Sequence, residues 1–356
     1  MKIEISDEPF KSPFSLPFRN RDSMDPKISA KNALRNVLDA VSGERLIVIC
    51  DEERLDVGKP FAEGAIDLGL CTRLFVLDKE EKPRKDVPRH LMELLTAPAP
   101  DIYINLLKGG TEETPFRVKV IGMETRRRVR LGHCPGITID MLENGALALT
   151  DEEHKKMQEE AQKVMQAVAG ATEVHVTNPA GTDFTFRLDD SRSWFTDTKI
   201  NWKTLKWMNL PTGEVIVGPI EDSLNGKVVC DLAVGGIGPL ESPVAIEAKN
   251  GKAISAECED KAALEKIKKA LATDSWSDKI GEFAFGLNPK ARLVKEFLET
   301  EKLCKTVHIA FGNNRDYPGG KNVSGNHMDF LMSKPTVEVK KNGKNVVVMK
   351  DGKFVF

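Results

Sequence analysis

The chain of 356 residues carries 52 Lys and Arg against 54 Asp and Glu, a formal net charge of -2, with 40% hydrophobic and 30% charged residues. That balance gives no global pull toward nucleic acid or a membrane surface, and the length suits about two domains with separate cores. The longest uncharged apolar stretch, 232–240, is far below the ~20 residues of a bilayer span, residues 1–8 lack the apolar core of a signal peptide, and the six cysteines form no Cys-x-x-Cys pair. A cytoplasmic protein with reduced thiols and no zinc-thiolate site is expected.

An irregular arm is expected over residues 1–27, where Pro9, Pro13, Pro17 and Pro26 interrupt a charged stretch. Ala30, Ala33, Leu34, Val37, Leu38 and Val41 then recur at helical spacing, which predicts a helix over 27–42. Residues 45–50 read as a buried strand, 58–70 as a helix and 72–78 as a second strand, the β-α-β unit of a parallel sheet. A helix over 88–95, a strand over 101–107 and a further β-branched strand over 117–121 follow. No Gly-x-Gly-x-x-Gly trails the first strand, so dinucleotide binding has no signature. The basic run 125–130 has no interleaved aromatics and reads as a solvated face or subunit contact. His90, His154 and His175 stand without a second ligand nearby and read as structural or solvent-facing. His133 reads as packing, and Cys134 beside it has no catalytic signature.

Thr150 with Glu153 three residues later predicts a capped helix over 151–170, with Met157, Ala161, Val164, Met165 and Val168 on one stripe. This helix closes an α/β layer domain with a parallel-type sheet, residues 1–170. Beyond it the pattern turns to alternation: 172–177 and 182–187 flank Asn178-Pro179-Ala180-Gly181 as a hairpin, and Asn342-Gly343 and Asp351-Gly352 mark terminal hairpins. Helices are expected over 260–272 and 290–297. Residues 171–356 are therefore expected to form a strand-rich α+β domain, and that domain holds the residues suited to binding metal.

His308 falls in an expected strand over 305–312, and in Gly325-Asn326-His327-Met328-Asp329-Phe330 an imidazole and a carboxylate stand two residues apart. On an extended segment both leave the same face, where a metal could take both. Tyr317-Pro318-Gly319-Gly320 lies between them as a flexible connection. A Pro/Gly turn delivers Glu214 at the mouth of an apolar strand, as a hard oxygen ligand or a general base. Glu282 is embedded among apolar residues and glycines, where an unpartnered charge is costly or is neutralised by a shifted pKa, and where metal coordination would remove that cost.

Asn-Leu-Pro-x-Gly-Glu at 209–214, Gly-Glu-Phe-x-x-Gly-Leu-Asn-Pro at 281–289, Val-His-Ile-Ala-x-Gly-Asn at 307–313 and Gly-Gly-x-Asn-x-Ser-x-x-His-x-Asp at 319–329 follow one another. In that order they resemble the M29 metallo-aminopeptidases, the family of aminopeptidase T and aminopeptidase S. The resemblance implies release of N-terminal amino acids from peptides at two divalent cations held by Glu214, Glu282, His308, Tyr317, His327 and Asp329. It also implies a homodimer in which the α/β domain and the arm before Lys27 help to bury the site. One metal would acidify a bridging water while the other takes the substrate's amine and carbonyl oxygen. Glu282 and Asp329 are candidate bridging ligands and His308 and His327 terminal ones. Glu214 is a ligand that doubles as base, and Tyr317 either a ligand or a donor to the oxyanion. Zinc, cobalt and manganese all suit these donors. The alternative, from a related branch of the fold, is a mononuclear iron(II) dioxygenase that opens dihydroxypyridine rings on a triad of His308, His327 and Asp329. A third possibility is a metal-stabilised binding protein without turnover.

Overall fold

The computed structural model describes residues 23–201 and 207–356, so the expected arm lies, up to residue 22, outside the described residues. Asp25 opens the first helix, Pro26–Asn36: its carboxylate accepts from Lys27 N–H at 2.9 Å, and Pro26 stands where no amide is needed. Helix Leu55–Asp67 then joins two strands, as the β-α-β reading requires.

Five strands form one parallel sheet in the order Cys71–Leu77, Arg45–Asp51, Ile102–Leu106, Arg130–His133, Trp207–Asn209. Side chains alternate along each strand, so the sheet needs helices on both faces. Leu46, Val48, Ile102 and Ile104 pack against Leu34 and Phe61 on one side. Ile49, Tyr103 and Leu131 pack against Leu91, Phe116 and Val120 on the other.

Two expectations fail in this half. The stretch 117–121 is not a strand but part of helix Thr114–Glu124: Phe116, Val120 and Glu124 recur every four residues and are buried, while Val118 is 61% exposed. Packing against the sheet overrides the β-branched propensity of the segment. In the basic run, 126–128 are exposed as expected, but Arg130 is buried. It begins a strand, donates to the carbonyls of Leu38 and Asp39 and pairs with Glu44.

The capping box of Thr150 and Glu153 opens helix Asp151–Val168. Apart from Trp207–Asn209, the strands that follow form two antiparallel sheets, of eight and seven strands among the described residues. The seven-stranded sheet runs in the order Gly238–Pro239, Ala233–Val234, His327–Ser333, Thr306–Gly312, Ile280–Gly286, Glu214–Val217, Phe195–Thr196. One core holds both sheets: Val176, Phe186, Val228 and Ile246 from the larger, Val217, Phe283, Ile309 and Phe330 from the smaller, and Ala161 and Val164 from the helix. Elements pack across residue 170 in both directions: this helix, strand Trp207–Asn209 and, through Leu298, the helical turn Phe297–Thr300.

The expected helix over 290–297 is absent. Asn288 Oδ1 accepts from the amides of Lys290 and Ala291, and Thr300 Oγ1 accepts from the amide of Val294, so side chains pre-empt the helical bonds. Only Phe297–Thr300 makes a helical turn. Helix Lys261–Leu271 and both terminal hairpins stand as read; Asn342-Gly343 and Asp351-Gly352 have positive φ at both positions, as two-residue hairpin turns demand.

Candidate metal centre

Strand register decides which side chains can meet. Glu214 lies opposite Gly286, Ala284 opposite His308, Glu282 opposite Ala310, Asp329 opposite Ala310 from the other side, and His327 opposite Gly312. Cross-strand partners share a face, so Glu214, Glu282, His308, His327 and Asp329 all leave one face of the seven-stranded sheet. Their neighbours Val215, Phe283, Val307, Ile309 and Phe330 leave the other and fill the core. Between Ile280 and Glu282 the register shifts, and Gly281 is the extra residue of a bulge. The bulge lets Ile280 enter the core while Glu282 faces the site. A Cβ on Gly281 would lie 2.7 Å from the carbonyl oxygen of Gly312, so the close approach needs glycine.

Glu214 is placed by a turn between the two architectures. The chain leaves the parallel sheet at Asn209 and enters the antiparallel one at Glu214, through a cis Leu210–Pro211 peptide. Asp197 Oδ1 accepts from the amides of Gly213 at 2.9 Å and Glu214 at 2.7 Å, and Asn288 Nδ2 donates to Thr212 O at 2.8 Å. Gly213 has φ 137°, and a Cβ there would meet Asn288 Cβ at 2.7 Å.

The connection between the two histidine strands is likewise tied down. Buried Asn322 donates to the carbonyls of Ile280 and Gly312 and takes Asn314 Oδ1 on its amide. This brings Tyr317 against Phe195, with ring centroids 5.4 Å apart, and its hydroxyl donates to Glu282 Oε2 at 2.5 Å.

His308 Nε2 lies 3.4 Å from Glu282 Oε1, 3.5 Å from Glu214 Oε1 and 3.9 Å from Asp329 Oδ1. His327 Nε2 lies 3.0 Å from Glu282 Oε2 and 3.4 Å from Asp329 Oδ1. The five predicted residues and Tyr317 are thus brought together. His308, Glu214 and Glu282 are buried, while the His327 side chain, 33% exposed, stands at the mouth and is oriented by a 2.8 Å contact between Nδ1 and Asn313 O. Burial disfavours charge on His308, but Glu282, Glu214 and Asp329 outweigh it and raise the imidazole to about 9. Burial opposes charge on His327 too, and Asp329 and Glu282 again raise it. Burial would raise Glu282, yet the two imidazoles hold it well below the carboxylate range. Burial raises Glu214 despite Lys302 beside it. The local excess of carboxylates favours a cation of any kind.

The donors fit a divalent ion. Ligating atoms of Glu282, His308 and Asp329 all lie within 4.8 Å of one another, close to the spread of donors around an ion bound at ~2.0 to 2.2 Å. Glu214 Oε1 is buried without a hydrogen-bond partner. The nitrogen and oxygen donor set suits zinc, cobalt or manganese.

Three side chains at the site escaped the sequence reading. Lys302 is buried and contacts Glu214, Glu301 and Asp197. In Glu299-Thr300-Glu301-Lys302 nothing distinguishes these charges from a solvated stretch. The histidines read as structural behave so: His133 contacts Asn105 and packs edge-on to Trp207, with burial lowering it to about 3, His154 is buried, and His175 pairs with Asp183. Cys134 is buried, and burial pushes its thiol up.

A cleft of about 870 Å³ opens at the carboxyl ends of the parallel strands, lined by Lys108, Glu113, Pro135, Gly236, Lys295 and Glu296 among others. None of the six site residues lines it; the link is Gly235, next to the lining Gly236, where a Cβ would lie 3.1 Å from Asp329 N. Among the described residues no helix is long and apolar enough to cross a membrane.

Two solved structures share this fold. The 2,5-dihydroxypyridine dioxygenase from Pseudomonas putida KT2440 is 16% identical with a TM-score of 0.68, over 93% of this chain and 96% of that one. Wild-type AmpT from Thermus thermophilus is 18% identical with a TM-score of 0.68, over 93% of this chain and 99% of that one. No curated protein matches the chain. The sequence pattern of one family, however, the thermophilic metalloproteases (M29), runs through residues 149–354. With more than half of the chain so matched, and the acid and imidazole side chains of that stretch gathered on one sheet face, this protein belongs to the M29 metalloproteases and is a metal-dependent hydrolase.

Proposed function

We propose that the protein is an aminopeptidase that releases N-terminal residues from peptides at a pair of divalent ions held by Glu214, Glu282, His308, His327 and Asp329, with Tyr317 beside them as a hydrogen-bond donor. The observation that carries this reading is the position of Glu282. Its Oε1 lies 3.4 Å from His308, and its Oε2 lies 3.0 Å from His327 and 2.5 Å from Tyr317, so one carboxylate reaches both imidazoles as a bridging ligand must. Ions there would supply Lewis acidity, making a water acidic near neutrality and polarising the scissile carbonyl.

The chain's own groups do the rest. Glu214 Oε1, 3.5 Å from His308 Nε2 and without a hydrogen bond, is the oxygen that faces an ion or takes a proton from water. The Tyr317 hydroxyl, which donates to Glu282 in this structure, is placed to turn its one proton to an oxyanion. The neighbouring cleft takes the peptide. In this scheme residues 171–356 supply the chemistry and residues 1–170 a covering layer. We take the protein to work in the cytoplasm as a homodimer that restricts entry to short peptides; a monomer mass in light scattering at micromolar concentration would remove the dimer.

The shared fold leaves a ring-opening dioxygenase as the second reading. A single iron(II) on His308, His327 and Asp329 would leave Glu282, within 3.4 Å of both imidazoles, without a role. Metal content and turnover decide between them. Two divalent ions per chain with hydrolysis of a dipeptide is the expected result. One iron, oxygen uptake on a hydroxylated pyridine and no peptide hydrolysis would replace the peptidase with the dioxygenase.

A further inference from the structure

Among the described residues, Lys302 is the buried lysine at the site that the scheme above leaves unused. Its side chain is 3% exposed, and its ammonium donates to Glu214 Oε2 while lying 2.8 Å from Glu301 Oε1 and 3.6 Å from Asp197 Oδ2. Desolvating an ammonium is costly, and here the cost is offset by carboxylates, one of which is a proposed metal ligand. Asp197 also holds the amides of Gly213 and Glu214, so the lysine is tied to the turn that presents Glu214. The two oxygens of Glu214 are thereby divided: Oε2 belongs to Lys302, and only Oε1, 3.5 Å from His308 Nε2, is left for an ion. Among the described residues Glu282 and Asp329 make no ion pair with a lysine, and both lie within 3.4 Å of His327 Nε2.

We propose that Lys302 is a built-in competing cation that makes the two ion positions unequal. The position on Glu282, His327 and Asp329 fills first and tightly. The position on Glu214 and His308 fills second and weakly, against the ammonium beside it. Lys302 is a positioning residue, acting through Glu214 by fixing which oxygen faces the site. The proposal rests on the two-ion reading.

The test is a Zn²⁺ titration by calorimetry of the full-length protein after chelator dialysis. Wild type is expected to bind in two separated steps. Lys302→Gln removes the charge and keeps a donor for Glu214, and should tighten the second step by about tenfold or more while leaving the first nearly unchanged. Lys302→Arg keeps the charge and should leave the second step as in wild type or weaker. A merely structural lysine would disturb both steps together, and that result, or an unaltered second step in a folded Lys302→Gln protein, overturns the proposal while the two-ion reading stands. One ion in wild type and a second gained by Lys302→Gln supports it in the strongest form. One ion in both proteins overturns this proposal and the two-ion reading alike. Cooperative unfolding reports whether each variant folds. If the Gln variant does not, the Arg variant decides, because a tightened second step with the charge retained is incompatible with competition.

Discussion

Tyr317 donates its hydroxyl to Glu282 Oε2 at 2.5 Å from a loop otherwise fastened by Asn322 and Asn314. Burial and the charge of Glu282 hold the phenol well above its ordinary range, so it keeps its proton and remains a donor. Tyr317→Phe retains the packing on Phe195 and removes only that donor. Peptide hydrolysis should fall about a hundredfold in kcat with KM little changed, the signature of a transition-state interaction. Steady-state kinetics on an amino-acid anilide checks this, and wild-type kcat would return Tyr317 to a packing role.

Glu282→Gln keeps the side chain's shape and removes the charge that reaches both imidazoles. We expect hydrolysis of an anilide or dipeptide to drop by about a hundredfold or more, metal content to fall, and the fold to survive. Near-wild-type hydrolysis would sink the bridging role. The variant also separates the two chemistries, because a lone iron on His308, His327 and Asp329 would lose only a neighbouring group.

Why Glu282 was legible and Lys302 was not follows from the kind of signal each carries. A glutamate inside Ile280-Gly281-Glu282-Phe283-Ala284-Phe285 is an anomaly against its own strand, and His327 with Asp329 declares a shared face by period two alone. The parallel sheet, the capped helix and the terminal hairpins were readable for the same reason, since period, caps and turn residues are local. Lys302 and Asp197 sit among other polar residues, and their burial comes from strands distant in the chain. The failed strand over 117–121 and the failed helix over 290–297 share that cause: helix packing decided the first, and the side chains of Asn288 and Thr300 decided the second.

Glu124 gives a pH dependence remote from the metal centre. Its carboxyl is buried, accepts from Asn105 Nδ2 at 2.8 Å, and is pushed up by burial from 4.5 to about 8. The folded protein therefore keeps a proton that the unfolded chain releases. The stability this group contributes is full below about pH 4.5 and is lost at ~1.4 kcal/mol per pH unit as pH rises toward 8. Glu124→Gln has no proton to lose, so its stability relative to wild type should improve across that window and level off above it. Denaturant unfolding at several pH values measures the difference, and parallel pH profiles for the two proteins would show that the carboxyl ionises freely in the fold.

The loop that carries Tyr317 depends on a buried ion pair some distance from the chemistry. Arg192 donates to Glu221 with two nitrogens, at 3.0 and 2.7 Å, and Glu221 also takes Asn314 Nδ2 at 3.2 Å and the Lys321 amide at 2.8 Å. The guanidinium is 1% exposed and the carboxylate 9%, so Arg192→Met strands a charge with little water around it. A loss of ~3 to 5 kcal/mol in unfolding free energy is expected, the scale for removing one partner of a buried pair. The same substitution slackens the Asn314 and Lys321 anchors, so kcat should fall in step with the effect of Tyr317→Phe, and the two variants combined should lose less than the product of their separate losses. Adding Glu221→Gln to Arg192→Met removes the stranded charge and should restore part of the stability. A double variant no more stable than Arg192→Met would show that the carboxylate keeps enough partners from the loop alone, and that the arginine contributes packing rather than charge.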